Sequence, residues 1–184
     1  MTEKDTCQQL ASSPSPQSAA SNPHSGLVQV LEAHRGERHL VVLQDFPDPD
    51  ALSCAFAHRL ISAAYDIQVD VIYQGRISHQ QNIALVKLLG IDLIRYDGEL
   101  DLTSYAGAVF VDNQGTTADV IFQDLEQAGV PPLIVVDHHQ LQERLELEAE
   151  FTDVRTVGAA ATIYAGYLEQ GLIKLQKSRR EHAL

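Results

Sequence analysis

The 184-residue chain has only two cysteines, Cys7 and Cys54, which are too few for a disulfide framework and favour a reducing, cytoplasmic environment. No apolar run approaches the roughly 20 residues that a membrane-spanning helix needs, and the N-terminus lacks the apolar core of a secretion signal. Cationic side chains are scarce, because 13 Lys and Arg stand against 25 Asp and Glu, giving a formal net charge of −12. This balance argues against binding to long nucleic acid, since a large phosphate-binding face needs positive charge.

The chain does contain enough apolar material for one folded domain. Hydrophobic residues make up 45% of it and charged residues 21%, as in an ordinary soluble globular protein. Residues 1–24 are rich in Ser, Pro, Gln and Ala without periodicity, so we expect a disordered leader there. Residues 25–184 alternate short apolar runs with helical patterns. This alternation predicts a three-layer α/β domain with a mainly parallel sheet flanked by helices.

Hydrophobic periodicity predicts the individual elements of this domain. The predicted strands are 39–44, 67–73, 107–112 and 132–137, with a short extended piece at 91–96. The predicted helices are 25–34, 51–65, 78–89, 116–128 and 158–170. We expect the acidic segment 140–153 to be solvated, and the basic segment 172–182 to be an exposed helix or a frayed end.

Acidic side chains follow three of the predicted strands. They are Asp45, Asp48 and Asp50 after the first, Asp112 at the end of 107–112, and Asp137-His138-His139 at the end of 132–137. In a doubly wound sheet the strands deliver their carboxyl ends to one edge, where ligands bind. Carboxylates gathered there would repel one another unless cations lay between them. Oxygen-rich ligation with one or two imidazoles favours Mn²⁺ or Mg²⁺ over a structural zinc.

Each acidic cluster also has a simpler interpretation when it is taken alone. Asp50, directly before a predicted helix, fits the role of an N-cap. Asp112 could cap the helix predicted near Thr116, and an isolated His-His pair is commonly a surface accident. The combination favours a metal site, because each cluster follows its own buried-strand pattern.

Three motifs in this order resemble the DHH phosphoesterase superfamily: Pro47-Asp48-Pro49-Asp50-Ala51, the strand-end Asp112, and Asp137-His138-His139. The segment Val157-Gly158-Ala159-Ala160-Ala161-Thr162 also resembles the family's helix start after the third motif. The superfamily includes nanoRNases, 3′-phosphoadenosine-5′-phosphate phosphatases and family II inorganic pyrophosphatases. The resemblance covers residues 38–170. It implies hydrolysis of a phosphoester or phosphoanhydride by metal-activated water.

The resemblance also implies a two-metal site. Asp48 would hold the first cation, Asp50 the second, and Asp112 would bridge them. His138 would ligate the second cation. The family usually carries a histidine at the position of Gln44, whose carboxamide oxygen is a weaker ligand, so the two-metal site should be weakened.

Two further residues receive catalytic roles from the same resemblance. His139 would lie near the substrate phosphate, and Asp137 would orient its neighbours. The family's fourth motif and its second, substrate-gripping domain are missing from the sequence, since only four residues follow Arg180. We therefore expect a DHH-type domain that is truncated before both.

Three functions from different classes fit these features. The first is a phosphoesterase domain that acts on a small phosphorylated nucleotide or a short oligonucleotide. The second is a catalytically weakened module that binds metal or nucleotide for regulation. The third is an interaction domain whose exposed cleft edge docks a complementing partner chain. Apolar surface left open by the missing domain could also favour a homo-oligomer.

Overall fold

A computed structural model describes residues 23–140 and 147–172. The predicted leader, apart from Pro23 and His24, and the predicted basic segment, apart from Leu172, lie outside these ranges. The helices are α1 (Pro23–Ala33), α2 (Pro49–Ala63), α3 (Gln80–Leu89), α4 (Asp119–Ala128) and α5 (Ala160–Glu169). The strands are β1 (Arg38–Val42), β2 (Gln68–Tyr73), β3 (Leu93–Arg95), β4 (Gly107–Val111), β5 (Pro132–Asp137) and β6 (Phe151–Val154). Within the described ranges, no helix has both the length and the apolar character needed to cross a membrane.

The six strands form one sheet in the order β3-β2-β1-β4-β5-β6, and every neighbouring pair is parallel. This arrangement confirms the predicted three-layer α/β fold. On one side of β1 lie β2 and then β3, and on the far side of the neighbouring β4 lie β5 and then β6. Loops leaving the carboxyl ends of β1 and β4 therefore run to opposite faces, and a crevice opens between them.

Both faces of the sheet are covered, which explains why its strands read as nearly continuous apolar runs. Val41 and Leu43 pack into a core with α1, α2, α3 and α5. Leu40 and Val42, which point to the other face, pack with α4 and a turn of 3-10 helix at Leu102–Ser104. Because β1 lies at the centre and is buried on both sides, its carboxyl end is held at a fixed position in the crevice.

The prediction that the whole of segment 140–153 is solvated is wrong. Its last residues begin β6, which pairs with β5 along Phe151–Val154. Asp153 is buried in this strand because Arg155 and the hydroxyl of Tyr167 donate hydrogen bonds to its carboxylate. A four-residue strand that contains an aspartate has too little apolar periodicity to be found from sequence. Residues 141–146 of the same segment lie outside the described ranges.

Gly75, in the loop after β2, sets the position of the loop that follows β1. A Cβ atom at this position would overlap the backbone carbonyl oxygen of Asp45 and contact the ring of Phe46. We expect Gly75→Ala to lower the free energy of unfolding by about 1–3 kcal/mol, the usual cost of overpacking. Urea denaturation measures this loss.

Gly166→Ala is the matched control, because a Cβ there meets no atom within 4 Å and the residue lies inside α5. This change should be neutral or stabilise the protein by up to about 1 kcal/mol, since alanine is the better helix former. Equal stability of the two variants would contradict the proposed clash at Gly75.

Candidate metal centre

Three carboxyl-end loops bring candidate ligand atoms to one point in the crevice. The Nε2 atom of His138 lies 3.3 Å from Oδ1 of Asp112 and 3.6 Å from Oδ2 of Asp50. Neighbouring ligands of an octahedral cation with bonds near 2.1 Å are roughly 3 Å apart. Both contacts of His138 are therefore close to the spacing between two ligands of one divalent cation.

Asp112 is the most constrained of these ligands. It follows β4 with a backbone φ of 56°, in the left-handed region that Asp and Asn tolerate better than most residues. Its side chain is only 2% exposed, and its Oδ1 atom accepts no hydrogen bond within the described ranges. Burial, followed by the charges of Asp50 and Asp48, raises the pKa of this carboxyl to about 7. A buried carboxylate without a partner is costly, and a cation at this point would supply the missing compensation.

His138 is oriented for ligation by the other side of its ring. Its Nδ1 atom lies 3.0 Å from the carbonyl oxygen of Val157. Because a carbonyl can only accept, Nδ1 carries the proton, and the lone pair of Nε2 faces Asp50 and Asp112. Metal-binding histidines commonly have their second nitrogen held in this way.

Asp48 and Asp50 cap two different helices. Oδ1 of Asp48 accepts hydrogen bonds from the backbone N–H groups of Asp50 and Ala51, which makes Asp48 the N-cap of α2. The carboxylate of Asp50 accepts from the N–H groups of Ala160 and Ala161, at 2.7 and 2.8 Å, at the start of α5. The interpretation of Asp50 as the cap of its own helix is therefore wrong.

The cap interpretation of Asp112 is also wrong. The helix predicted from Thr116 begins at Asp119, with Ala118 at its N-cap position and no side-chain capping bond.

Asp45, the neighbour of Gln44, lies near Asp119, where burial and then the charge of Asp119 raise the pKa of Asp45.

Asp137 fixes both histidines of the Asp-His-His motif. Its Oδ1 atom accepts hydrogen bonds from the backbone N–H of His138 at 2.7 Å and from Nδ1 of His139 at 2.8 Å. The imidazole of His139 is 55% exposed, so its Nε2 edge reaches solvent. Burial lowers the pKa of His139, but the hydrogen bond and charge of Asp137 and the nearby carboxylates outweigh this and raise it.

Gln114 contributes to the same network and was missed by the sequence analysis. Its buried carboxamide donates to Oδ2 of Asp137 at 2.7 Å and lies 3.4 Å from the carbonyl oxygen of His139. The only signal in the sequence is its place two residues after Asp112 at a strand end. A neutral glutamine there carries no chemistry that would identify it.

A small cavity of about 90 Å³ opens beside these residues. Its lining residues are polar or acidic, and no Lys or Arg is among those described: Gln44, Asp112, Asn113, Gln114, Thr116, Thr117, Asp137, His139 and Gln140. Gln44 thus shares a cavity with Asp112 and His139. Asp48, which is exposed at the start of α2, acts on both of these residues through its charge.

The fold and the site together define a parallel three-layer α/β domain with a candidate divalent-metal centre at the carboxyl edge of its sheet. No family model matches the sequence. An uncharacterized protein of Methanocaldococcus jannaschii is 32% identical over 130 residues, which are 70% of this chain and 25% of that protein. The chain therefore spans about a quarter of the length of this curated relative.

Among solved structures, the chain is similar to an exopolyphosphatase-related protein from Bacteroides fragilis, with a TM-score of 0.64 and 14% identity. The match covers 84% of this chain and 45% of the solved chain. This likeness shows the fold of the domain.

The raised pKa of Asp112 predicts a stability that depends on pH. The carboxyl ionises near pH 3.8 when unfolded but near pH 7 when folded, so its burial destabilises the metal-free protein increasingly as pH rises between these values. Asp112→Asn keeps a residue suited to positive φ and removes the charge. It should stabilise the protein by a few kcal/mol at pH 8 and by only about 1 kcal/mol at pH 5.

Urea denaturation in a chelating buffer at the two pH values measures this difference. Asp92→Asn removes the same charge from an exposed position and should change stability by less than about 0.5 kcal/mol. A stabilisation by Asp112→Asn that is the same at both pH values would refute the buried-charge explanation.

Removal of the Asp50 carboxylate should change stability in the opposite direction. Asp50→Ala removes the acceptor for two N–H groups of α5 and should cost about 1–2 kcal/mol of stability. Denaturation at pH 6 in chelator isolates this loss, because Asp112 is then mostly neutral and relief of repulsion contributes little. Asp50→Asn retains one acceptor oxygen and should lose less; if Asp50→Ala is at least as stable as the wild type, the capping role is wrong.

Proposed function

We propose that the chain is a metal-dependent phosphoesterase domain of the DHH type, which hydrolyses a phosphoester or phosphoanhydride in a small phosphorylated nucleotide or a short oligonucleotide. The observation that carries this proposal is the approach of both Asp50 and Asp112 to Nε2 of His138, with a buried oxygen of Asp112 that accepts no hydrogen bond within the described ranges. The name of the structural relative, exopolyphosphatase-related, supports phosphorus chemistry.

We propose that the site holds two divalent cations, Mn²⁺ or Mg²⁺. Asp50 and His138 would hold one, Asp48 and Gln44 the other, and Asp112 would serve both. Carboxylate and carboxamide oxygens with a single imidazole suit these hard cations. When bound, such cations lower the pKa of water and neutralise negative charge on phosphoryl oxygens.

The other residues of the site would bind and orient the substrate. His139 would donate a hydrogen bond from its exposed Nε2 edge to a phosphoryl oxygen, and its raised pKa favours the form that can donate there. Asp137 would hold the imidazole of His139 through Nδ1, and Gln114 would hold Asp137 in turn. Asp137 and Gln114 are therefore positioning residues.

The cavity also restricts the substrate. At about 90 Å³, with no cationic side chain among its described lining residues, it suits one phosphoryl group rather than a run of phosphates. We propose that the rest of the substrate is contacted by a second domain or by a complementing partner chain, either another protein or a second copy of this chain.

Hydrolysis of p-nitrophenyl thymidine monophosphate by the purified chain with Mn²⁺ tests the proposal. Turnover should require the cation and should fall at least about 100-fold in Asp112→Asn, because both cations lose a ligand. Asp92→Asn, an equal change in charge at an exposed position, should retain wild-type activity.

A specific observation favours one competing function. Gln44 provides a weak ligand, so the domain could bind metal or nucleotide for regulation without turnover. Calorimetry that detects Mn²⁺ binding lost in Asp112→Asn, together with no hydrolysis of mononucleotide or short-oligonucleotide substrates, would replace the phosphoesterase proposal with this one.

A further inference from the structure

A second cluster of metal-binding side chains lies at the amino edge of the sheet, opposite the crevice. His34 follows α1, Glu37 lies in the next turn, and His39 is the second residue of β1. One glutamate oxygen, Oε2 of Glu37, lies 2.7 Å from Nδ1 of His34 and 3.2 Å from Nε2 of His39. The three residues offer ligand atoms that all lie within 4.8 Å of one another.

We propose that His34, Glu37 and His39 form a zinc site. Two imidazole nitrogens and one carboxylate oxygen are a common three-ligand set for Zn²⁺. Neighbouring ligands of a tetrahedral zinc with bonds near 2.0–2.1 Å are roughly 3.3 Å apart. The observed contacts of 2.7 and 3.2 Å need only a small opening of the cluster to admit the ion.

A fourth residue points independently to a ligand at this place. Glu150, which precedes β6, holds the far side of His34, with its carboxylate oxygens 3.1 and 3.3 Å from Nε2. A carboxylate only accepts, so Nε2 carries a proton and Nδ1 is the nitrogen available to a metal. This carboxylate–histidine pair is the outer arrangement that commonly orients a zinc-bound imidazole.

Without metal, His34 must donate from both nitrogens, because each faces a glutamate. Burial lowers the pKa of His34, but its hydrogen bonds to Glu37 and Glu150 outweigh this and raise it. Zn²⁺ would take the place of the Nδ1 proton and would face the carboxylate of Glu37, while Glu150 would keep the proton on Nε2.

His39 is the buried ligand of the set. Its side chain is fully buried and its Nε2 donates to Oε2 of Glu37, so a zinc ion would take the place of this Nε2 proton. His34 and Glu37 remain 18% and 37% exposed, so the site is open on one side. Water can therefore reach the fourth coordination position.

This site is separate from the crevice in place and in chemistry. His39 begins β1 while the acidic loop follows its end, and a strand rises roughly 3.3 Å per residue, so about 15 Å or more separates the two sites. The crevice adds the carboxylates of Asp48, Asp50 and Asp137 to its imidazoles, whereas this cluster offers two imidazoles and the single carboxylate of Glu37. A zinc here would join the end of α1 to β1 and, through Glu150, to the entrance of β6.

Zinc binding by the full chain in an Asp112→Asn background tests the inference, because this background weakens the other site. Calorimetry should detect one tight equivalent of Zn²⁺, and Co²⁺ in its place should give the intense visible absorption of a tetrahedral complex. Glu37→Gln should weaken Zn²⁺ binding at least about tenfold, and Glu150→Gln by roughly 10-fold or more.

Glu32→Gln is the matched control, because it removes the same charge from an exposed glutamate of α1 that pairs with Arg35 instead of with the proposed ligands. It should leave zinc affinity unchanged. His34→Asn provides a second variant that does not alter the buried His39. If folded Glu37→Gln and His34→Asn both bind Zn²⁺ as tightly as Glu32→Gln, the site is wrong.

Discussion

The crevice depends on one carboxylate, that of Asp50, which joins the first turn of α2 to the first turn of α5 more than 100 residues later. The N-terminus of a helix attracts negative charge and presents free N–H groups, so this contact is both electrostatic and directional. Val157, three residues before α5, accepts the hydrogen bond that orients His138. The entry of a single helix thus fixes Asp50 and His138 relative to each other.

The same arrangement carries an electrostatic cost. Asp112 is buried close to Asp50 and Asp48, and its raised pKa reflects an anion that the surrounding protein compensates poorly. Hydrogen bonds compensate two other buried carboxylates. Arg155 and Tyr167 donate to Asp153, and Gln114 donates to Asp137. Asp112 therefore differs from Asp153 and Asp137, and poorly compensated buried acids of this kind are typical of functional sites.

The fold could be predicted from sequence because strands buried on both faces leave long apolar runs, and their acidic ends then identify one edge of the sheet. β6 could not, since its stability comes from pairing with β5 and from the contacts of Asp153, which are not local in sequence. The helix that Asp50 caps was also unpredictable, because local spacing favours the helix next to it. Gln114 acts through Asp137 and the backbone of His139, contacts between two strand ends that no pattern of residue types encodes.

Under the proposed function, the charges of the crevice would couple the binding of metal to the binding of substrate. Within the described ranges its cavity is lined by carboxylates and neutral donors without Lys or Arg, so a phosphate entering alone would meet repulsion from Asp112 and Asp137. Cations that cancel this repulsion raise the affinity for phosphate, and by thermodynamic linkage phosphate raises the affinity for the cations by the same factor. Under the proposed function, weak ligation by Gln44 would have a physical consequence: the first cation would be held well only while substrate is bound, so the substrate itself would be part of the metal site.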